Sequence, residues 1–416
     1  MTYSIDYFRS WSKDFTTWEA LRSWLQSAEG GSLRVVEPRD THYALVRYVK
    51  GQSNIEAPHV RWCRSVVVNK NTLRPVCVAP PKGFAVTGET MENVTVAEEF
   101  VDGTMLNLFR EGQGDQLQLA TRSRIGGGGK FYDGGLTFKQ MFDAALAENG
   151  VKSSSAILPA ASDTKVTVFT STVIQHPSNR IVRQITKPSF VIVHQGWTDS
   201  EGTVYIEEDP EAFHCEAEGD FFEVQPYTLA SLRGAKSVES WVAQQAQERG
   251  FGWQGVVLKD GKGNRWRARS QVYETVRRIR GNESSAEDRF ARLRKTRATE
   301  QYLAFYPEDR ETFYELEGRL RKNTRQLSHF YGDVFRAKKT PYYELPWPYK
   351  HHVSVLHNLY KDTLKKEGKK ITLEEVIKYI NGLSFEDTVN MTIEHKLTLR
   401  KSETTSNTLA EETAAA

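Results

Sequence analysis

Cysteine is scarce in this sequence of 416 residues, and long hydrophobic runs are absent from it. The three cysteines, Cys63, Cys77 and Cys215, are odd in number and far apart, which argues against a disulfide framework or a zinc site and favours structural roles. No segment approaches the roughly 18 apolar residues that a membrane-spanning helix needs, and the N-terminal stretch MTYSIDYFRSWSKDF has no apolar signal core. We therefore expect a soluble, cytoplasmic protein without a membrane partner.

Aromatic residues, in contrast, are plentiful, with 9 Trp, 17 Tyr and 20 Phe. Together with a hydrophobic content of 39% and a mean hydropathy of −0.55, they indicate a globular chain and exclude a disordered one. A single core rarely grows beyond about 250 to 300 residues, so the length predicts two domains. The formal net charge of +3 is too small to indicate a polyanionic partner, so such a partner has to be inferred from local clusters of basic residues.

Two kinds of pattern divide the chain. β-branched and aromatic runs predict strands, with helices between them at 17–27, 137–148 and 228–249; long helical patterns dominate from about 271 to 400. This predicts an α+β fold with antiparallel sheets in a domain 1–280, a helical C-terminal domain 281–400 and a disordered tail 401–416. The predicted strands are LRVVEP, HYALVRYV, SVVVN, PVCVA, VTVAEEF, MLNLF, LQLATRS, KVTVFTSTVIQ, SFVIVHQG, TVYIEE and GVVLKD.

Five segments follow one another in a particular order: EEFVDGTMLNLF (98–109), TRSRIG (121–126), VFTSTVIQHPSNRIV (168–182), WQGVVLKD (253–260) and RWRARS (265–270). Over roughly residues 30–280 this order resembles the RNA ligases of the phage and giant-virus branch of the covalent nucleotidyltransferase superfamily. The resemblance implies an antiparallel-sheet nucleotidyltransferase domain, similar to the ATP-grasp-like RNA and DNA ligases, with the nucleotide site between its sheets. It also implies ATP and Mg²⁺ as cofactors, nucleotide and RNA as partners, and a viral protein of the host cytoplasm or virion.

The first motif of that family is Lys-x-Asp-Gly, in which the lysine attacks ATP to form a lysyl-AMP adduct. Asp102 and Gly103 match its Asp-Gly, but Phe100 stands at the lysine position, and a phenyl ring cannot attack phosphorus. Val173 stands where the family has a carboxylate, and Gln254 replaces the glutamate of the fourth motif. The sequence therefore predicts the loss of standard lysyl-AMP chemistry, and no residue is assigned as catalytic or as a metal ligand.

The cations that would face phosphate are retained. Arg267 and Arg269 alternate along a predicted strand, so both side chains are expected on one face of the sheet. Arginine binds phosphate bidentately but is a poor proton donor, so binding survives better than catalysis. The predicted nucleotide-binding residues are Arg64, Asp102, Gly103, Arg180, Gln254, Lys259, Arg267 and Arg269.

Basic residues also recur at helical spacing in 277–300. If this segment is one helix, it has a basic face, which is either a solvated surface or an RNA contact. Arg277, Arg278 and Arg280 are the predicted RNA-binding residues. His176, close to the third motif, is either a general base or a loop histidine that caps or packs.

These observations favour an RNA ligase-like pseudoenzyme that binds nucleotide, RNA ends or both. One alternative is an active RNA ligase or nucleotidyltransferase with a non-standard nucleophile, for which Lys259 and Lys82 are the candidates. A second alternative is a structural or protein-docking module that keeps the old fold as a scaffold.

Overall fold

The computed structural model describes residues 2–87, 91–112, 116–131, 135–152, 157–158, 160–208 and 224–393. Cys215 and the predicted tail 401–416 lie outside the described residues. The chain divides into two compact units, Met1–Arg278 and Ile279–Ala416.

The first unit is built around three sheets within its described residues. The six-stranded sheet has the order β1 (Thr2–Ile5), β12 (Val204–Glu207), β11 (Ser189–Thr198), β10 (Thr167–Gln175), β8 (Thr104–Glu111), β9 (Gln118–Ala120). A four-stranded sheet, here called the arginine sheet, has the order β6 (Phe84–Ala85), β14 (Arg265–Arg269), β13 (Gly255–Lys259), β7 (Val96–Glu99). The other four-stranded sheet, here called the N-terminal sheet, contains β2 (Arg34–Val36), β3 (Tyr43–Arg47), β4 (Val66–Asn69) and β5 (Arg74–Val78).

Strand pairing in these sheets is antiparallel except between β6 and β14, which run parallel. The predicted α+β class with antiparallel sheets is therefore confirmed. Each of the eleven predicted runs contains a strand, from β2 to β5 and from β7 to β13. β1 was not predicted, because TYSI is a short segment whose pairing with β12 depends on residues some 200 positions away.

The helices that begin in the first unit are α1 (Arg9–Asp14), α2 (Trp18–Gln26), α3 (Pro58–Trp62), α4 (Phe138–Glu148), α5 (Leu229–Arg233), α6 (Val238–Arg249) and α7 (Gln271–Arg280). α2 begins at Thr17, whose side chain accepts a hydrogen bond from the Ala20 amide, and it buries Trp18, Leu21 and Leu25 on one face. The single helix predicted over 228–249 is wrong. Gly234 ends α5, and the side chain of Ser237 caps the start of α6.

Separate apolar clusters hold the sheets of this unit. The N-terminal sheet packs with β1, α1 and α2 around Phe8, Trp11 and Leu45, which are fully buried. One face of the arginine sheet packs against α5 and α6 through Val256, Leu258 and Trp241 among others. Each such side chain contributes about 1.5–3 kcal/mol when it is fully buried, so these contacts fix the strands that carry the site.

The second unit is helical over its described residues. Its helices are α8 (Ala286–Lys295), α9 (Thr299–Phe305), α10 (Arg310–Tyr331), α11 (Tyr349–Leu359), α12 (Leu373–Asn381) and α13 (Phe385–Asn390). α10 buries Phe313, Leu316, Leu320 and Leu327, which recur at three, four and seven positions. In the part of the chain that the structure describes, no helix is both long enough and apolar enough to cross a membrane.

Candidate phosphate-binding site

The arginine sheet has one polar and one apolar face, because side chains alternate along each strand. Directly opposed residues of neighbouring strands share a face. The register places Lys259 opposite Arg265, and it places Val257 between Glu98 on β7 and Arg267 on β14. Arg269, opposite Gly255, continues the same row. Ala97, Leu258 and Trp266 form the other face, which packs on the helices. The alternation of arginine with apolar residues in RWRAR therefore collects three cations on one side of the sheet.

Lys259, which was predicted to bind nucleotide, is neutralised by two carboxylates. Its Nζ lies 3.0 Å from Glu98 Oε2 and 2.8 Å from Glu208 Oε2, and all three side chains are buried. Burial alone lowers the pKa of this lysine, but Glu98 and Glu208 raise it further than burial lowers it, so the net shift is upward. Since Glu208 follows β12, the ion pairs also join the arginine sheet to the six-stranded sheet. Lys259 is a charged structural group in this arrangement.

Arg269 is held on three sides. Its Nη1 donates to Glu274 Oε1 at 3.1 Å, and its guanidinium lies over the Phe100 ring, 5.0 Å from the ring centre. With the Gln254 amide oriented to satisfy its neighbours, the amide oxygen accepts from Arg269 Nε at 3.1 Å and its nitrogen donates to the Val101 carbonyl at 3.2 Å. Gln254, another predicted nucleotide-binding residue, therefore positions Arg269.

Phe100, which the resemblance aligned with a lysine, faces cations. Its ring is half-buried, with the Arg265 guanidinium carbon 5.8 Å and that of Arg269 5.0 Å from the ring centre. The Phe100 amide donates to the Gly255 carbonyl at 2.9 Å, which fixes this residue beside β13. The face of an aromatic ring attracts guanidinium groups, so Phe100 helps to hold the arginines without offering a nucleophile.

Arg64 joins the arginines of this face from the segment between α3 and β4. Burial, then the neighbouring Arg265, Arg122 and Arg267 cations, lower the pKa of Arg64 to about 10. The Nε of Arg265 is buried and has no hydrogen-bond partner. Among residues 2–278 that the structure describes, the guanidinium groups of Arg64, Arg265 and Arg267 form no ion pair with a carboxylate.

The position of Arg64 follows from contacts between α3 and the β13–β14 turn. Arg61 Nη1 donates to Asn264 Oδ1 at 2.8 Å, and Gly263, with a φ of +87°, leaves no room for a Cβ against the Trp62 ring. Next to Arg64, the Ala79 amide donates to the Ser65 carbonyl at 3.0 Å. These contacts bring a loop of the N-terminal sheet to the polar face of the arginine sheet.

His194 on β11 approaches the same site from the six-stranded sheet. It is 6% exposed, and its Nε2 has no hydrogen-bond partner. Burial, together with the Lys259, Arg265 and Arg64 cations, lowers the pKa of His194 well below its ordinary value, so the imidazole is neutral at pH 7. The hydrogen bond to the Val78 backbone uses the single N–H of the neutral ring, so the unpaired Nε2 is an acceptor and gives no hydrogen bond to an anion.

Asp102 and Gly103, also predicted to bind nucleotide, organise the surrounding loops. Asp102 Oδ2 accepts from the amides of Val182 and Arg183 at 2.9 and 2.8 Å, and its Oδ1 accepts from the Tyr273 hydroxyl at 2.6 Å. The turn between β7 and β8 passes so close to the Ile174 carbonyl that a Cβ at Gly103, where φ is +152°, would overlap it. Both residues therefore fix the third motif against the first.

Arg180 and His176 make local contacts in that third motif. Arg180 is 8% exposed, and its Nε and Nη2 donate to the Val182 carbonyl at 3.1 and 3.0 Å. His176 Nδ1 accepts from the Ser178 amide at 3.1 Å and thereby caps a short 3₁₀ turn at 177–179. The capping interpretation of His176 is confirmed.

The single basic helix inferred for 277–300 is wrong. α7 ends at Arg280, Gly281 has a φ of +75°, and α8 begins only at Ala286. Arg278 is exposed and Arg277 half-buried, whereas Arg280 is only 4% exposed and donates to the Gly281 carbonyl at 3.2 Å. Carboxylates neutralise the arginines of α8, in the ion pairs Arg289–Asp309, Arg292–Glu283 and Arg294–Glu317.

Residues at this site do not fit a divalent cation. Glu98 and Glu208 both bind Lys259, and Glu274 binds Arg269. Magnesium requires oxygen ligands that are free to coordinate it. In the described part of the chain, no group of three or more His, Cys, Asp or Glu side chains has a metal-binding arrangement. A comparison with family models and a comparison with curated proteins each found no match to this chain.

Sequence reasoning missed Arg265, His194 and the two glutamates that bind Lys259. Arg265 could have been found, because it continues the alternation of Arg267 and Arg269 by one step along the strand. Glu208 and His194 carry no local signal, since they reach the site only through the pairing of β11 and β12 in the other sheet.

Proposed function

We propose that this protein binds the phosphate groups of a nucleotide or of an RNA end on the polar face of the arginine sheet, without forming a covalent lysyl-nucleotide. The observation that supports this most directly is the convergence of Arg64, Arg265 and Arg267 with no carboxylate at ion-pair distance. Glu98 and Glu208 offset part of the Arg265 charge, but both are bound to Lys259. The proposal keeps the RNA ligase-like pseudoenzyme interpretation of the sequence and assigns the binding role to this face.

The physical basis is the energy of unpaired cations. Burying a charge is costly unless an opposite charge or hydrogen bonds compensate for it. A phosphate group provides both, since its oxygens accept the paired N–H donors of a guanidinium in bidentate geometry. Arg265, whose Nε is buried without a partner, and the exposed Arg267 would bind such a group from the same strand.

The two candidate amines of the covalent alternative, Lys259 and Lys82, are both engaged by other groups. An amine nucleophile has to be deprotonated, which requires a lowered pKa. Lys259 has a raised pKa and two carboxylate partners. Lys82 Nζ instead lies 5.5 Å from the centre of the Phe84 ring. These contacts favour non-covalent binding over a replacement nucleophile.

The test is a thermal unfolding experiment with ATP, GTP and a 5′-phosphorylated RNA oligonucleotide, because a ligand that binds only the folded state raises the midpoint. We expect a rise with at least one of these ligands for the natural protein and a smaller rise for Arg267→Gln. Arg9→Gln, which removes an arginine paired with Glu201, is the matched control and should respond like the natural protein.

Incubation with α-labelled ATP in the presence of magnesium or manganese completes the test. The proposal expects no labelled protein after denaturation. A covalent adduct would overturn the non-covalent mechanism, and the absence of any thermal shift with all three ligands would favour the structural or docking module instead.

A further inference from the structure

Resting on the proposed function, we propose a second binding surface: a track formed by Arg122, Arg47 and Arg34 that binds the backbone of a single-stranded nucleic acid whose end phosphate occupies the site. We call these three residues the arginine track. They belong to the N-terminal sheet and to the turn after β9. None of them is among the predicted nucleotide-binding or RNA-binding residues, although Arg122 belongs to the TRSRIG segment.

The first step of the argument is the pairing of Arg34 with Arg47. The β2–β3 register places these residues directly opposite each other. Like charges in directly opposed positions of a sheet destabilise it. Arg34 is exposed, and the Nε of Arg47 is buried without a hydrogen-bond partner. Two such cations side by side are best explained by an anion that binds both.

Arg122 connects this pair to the phosphate site. Its guanidinium carbon lies 5.1 Å from the centre of the Tyr48 ring, and Tyr48 follows Arg47 in sequence. On the other side, Ser65 Oγ donates to the Thr121 carbonyl at 3.4 Å, which ties the residue before Arg122 to the residue after Arg64. The cations therefore continue from Arg64 through Arg122 and Arg47 to Arg34.

The electrostatic environment agrees with this path. Burial, and then the neighbouring Arg34 and Arg122 charges, lower the pKa of Arg47. Within the described residues of the first unit, Arg34, Arg47 and Arg122 have no carboxylate partner, whereas the surface residues Arg9 and Arg22 pair with Glu201 and Glu37.

A polymer of phosphates fits this arrangement better than a mononucleotide. A mononucleotide carries its phosphates in one place, so it can occupy the cluster around Arg265 but not the track as well. A single strand has a phosphate at each nucleotide, and each arginine that neutralises one releases counterions into solution. Arg122 lies exposed against an aromatic ring, and arginine planes of this kind also stack on unpaired bases.

The experiment compares ligands of different length by fluorescence polarisation. The probes are a 5′-phosphorylated RNA of twelve nucleotides, a 5′-phosphorylated dinucleotide and ATP as competitor, with polyglutamate as an unrelated polyanion. The double variant Arg34→Gln/Arg122→Gln changes two exposed residues, and Arg9→Gln/Arg22→Gln, which changes two paired surface arginines, is the matched control.

We expect the track variant to bind the twelve-nucleotide RNA at least tenfold more weakly than the control variant does, with unchanged affinity for the dinucleotide and ATP. Its plot of log affinity against log salt should be shallower by about 1.4, from about 0.7 for each lost single-strand contact. Equal affinity of the two variants for the long RNA, or binding of polyglutamate as tight as that of RNA, would overturn the track.

The two proposals can fail separately. The phosphate site would be contradicted, and the track retained, if the natural protein did not bind ATP or the dinucleotide while the track variant bound the long RNA more weakly than the control variant. The track would be contradicted, and the phosphate site retained, if the natural protein bound ATP and the dinucleotide while the two variants bound the long RNA equally well.

Discussion

The guanidinium carbon of Arg269 lies 5.0 Å from the centre of the Phe100 ring. In the motif that the sequence resembles, the position of Phe100 belongs to the nucleophilic lysine. Here an apolar ring at that position instead contacts a cation beside the proposed phosphate site. Under the proposed function, this pair joins a residue that cannot act as a nucleophile to an arginine at the edge of the binding site.

Substituting Phe100 with lysine should not restore covalent chemistry. The new amine would stand beside Arg265 and Arg269, which would lower its pKa but would also place a third cation next to these two. We expect Phe100→Lys to unfold at a lower temperature than Phe100→Met in low salt, and the difference to shrink as salt or ATP is added. A labelled lysyl-nucleotide in the lysine variant would show that only the nucleophile was missing.

Gln254→Glu distinguishes a positioning amide from a lost metal ligand. A carboxylate here would form an ion pair with Arg269, with which the Gln254 amide now shares hydrogen bonds, and would lose the bond to the Val101 carbonyl. Competition with phosphate for this arginine should weaken ATP binding about tenfold in isothermal titration calorimetry, which corresponds to about 1.4 kcal/mol. Tighter binding that depends on magnesium would instead indicate a restored metal site.

Lys259→Met should be strongly destabilising, because it leaves Glu98 and Glu208 as buried carboxylates without a cation. Breaking a buried ion pair in this way costs about 3–5 kcal/mol. Burial already raises the pKa of Glu98, so the variant should regain stability as the pH falls and Glu98 takes up a proton. Urea unfolding at pH 5 and pH 8 measures the effect, and Lys259→Met/Glu208→Gln should recover part of the loss.

The natural protein also loses stability as the pH rises, but only in the alkaline range where Lys259 loses its proton. Since the folded state raises the pKa of Lys259 above its ordinary value of 10.5, the ion pairs contribute fully below that pH. Their contribution is lost as the pH rises through the higher folded pKa. A Lys259→Met variant that matches the natural protein in stability at pH 8 would contradict the structural role of this lysine.

Tyr273→Phe tests the connection between α7 and the first motif. The substitution removes the 2.6 Å hydrogen bond to Asp102 Oδ1 and leaves a buried carboxylate oxygen without this donor. A cost of about 1–3 kcal/mol in the free energy of unfolding is expected. Tyr314 is 67% exposed, so Tyr314→Phe is the matched control and should leave the free energy of unfolding unchanged. Equal stability of both variants would show that the bond to Asp102 is dispensable.

The sequence pattern was sufficient for the local elements and for one side of the site. Alternation of β-branched and aromatic residues located β2 to β5 and β7 to β13, and the same alternation placed Arg267 and Arg269 on one face. The break between α5 and α6 was missed, because Gly234 in an otherwise helical pattern is tolerated often enough to be no clear stop signal.

The other features of the site depend on tertiary contacts that the sequence pattern does not show. Lys259 was interpreted as a phosphate ligand because its motif position resembles one, but its charge is balanced by Glu208, 51 residues away, through the packing of two sheets. The opposition of Arg34 and Arg47 likewise depends on the β2–β3 register, and a one-residue slip of that register would separate them. Neither the composition of the chain nor the spacing of its residues predicts such pairings.

The most direct test of the central claim is isothermal titration calorimetry of ATP and of a 5′-phosphorylated RNA oligonucleotide into the natural protein and into Arg267→Gln. The account predicts binding to the natural protein in the absence of magnesium, and a loss of at least tenfold in affinity for the variant, whose exposed side chain can change without disturbing the core. Equal affinity of the two proteins for both ligands would contradict a phosphate site on the polar face of the arginine sheet.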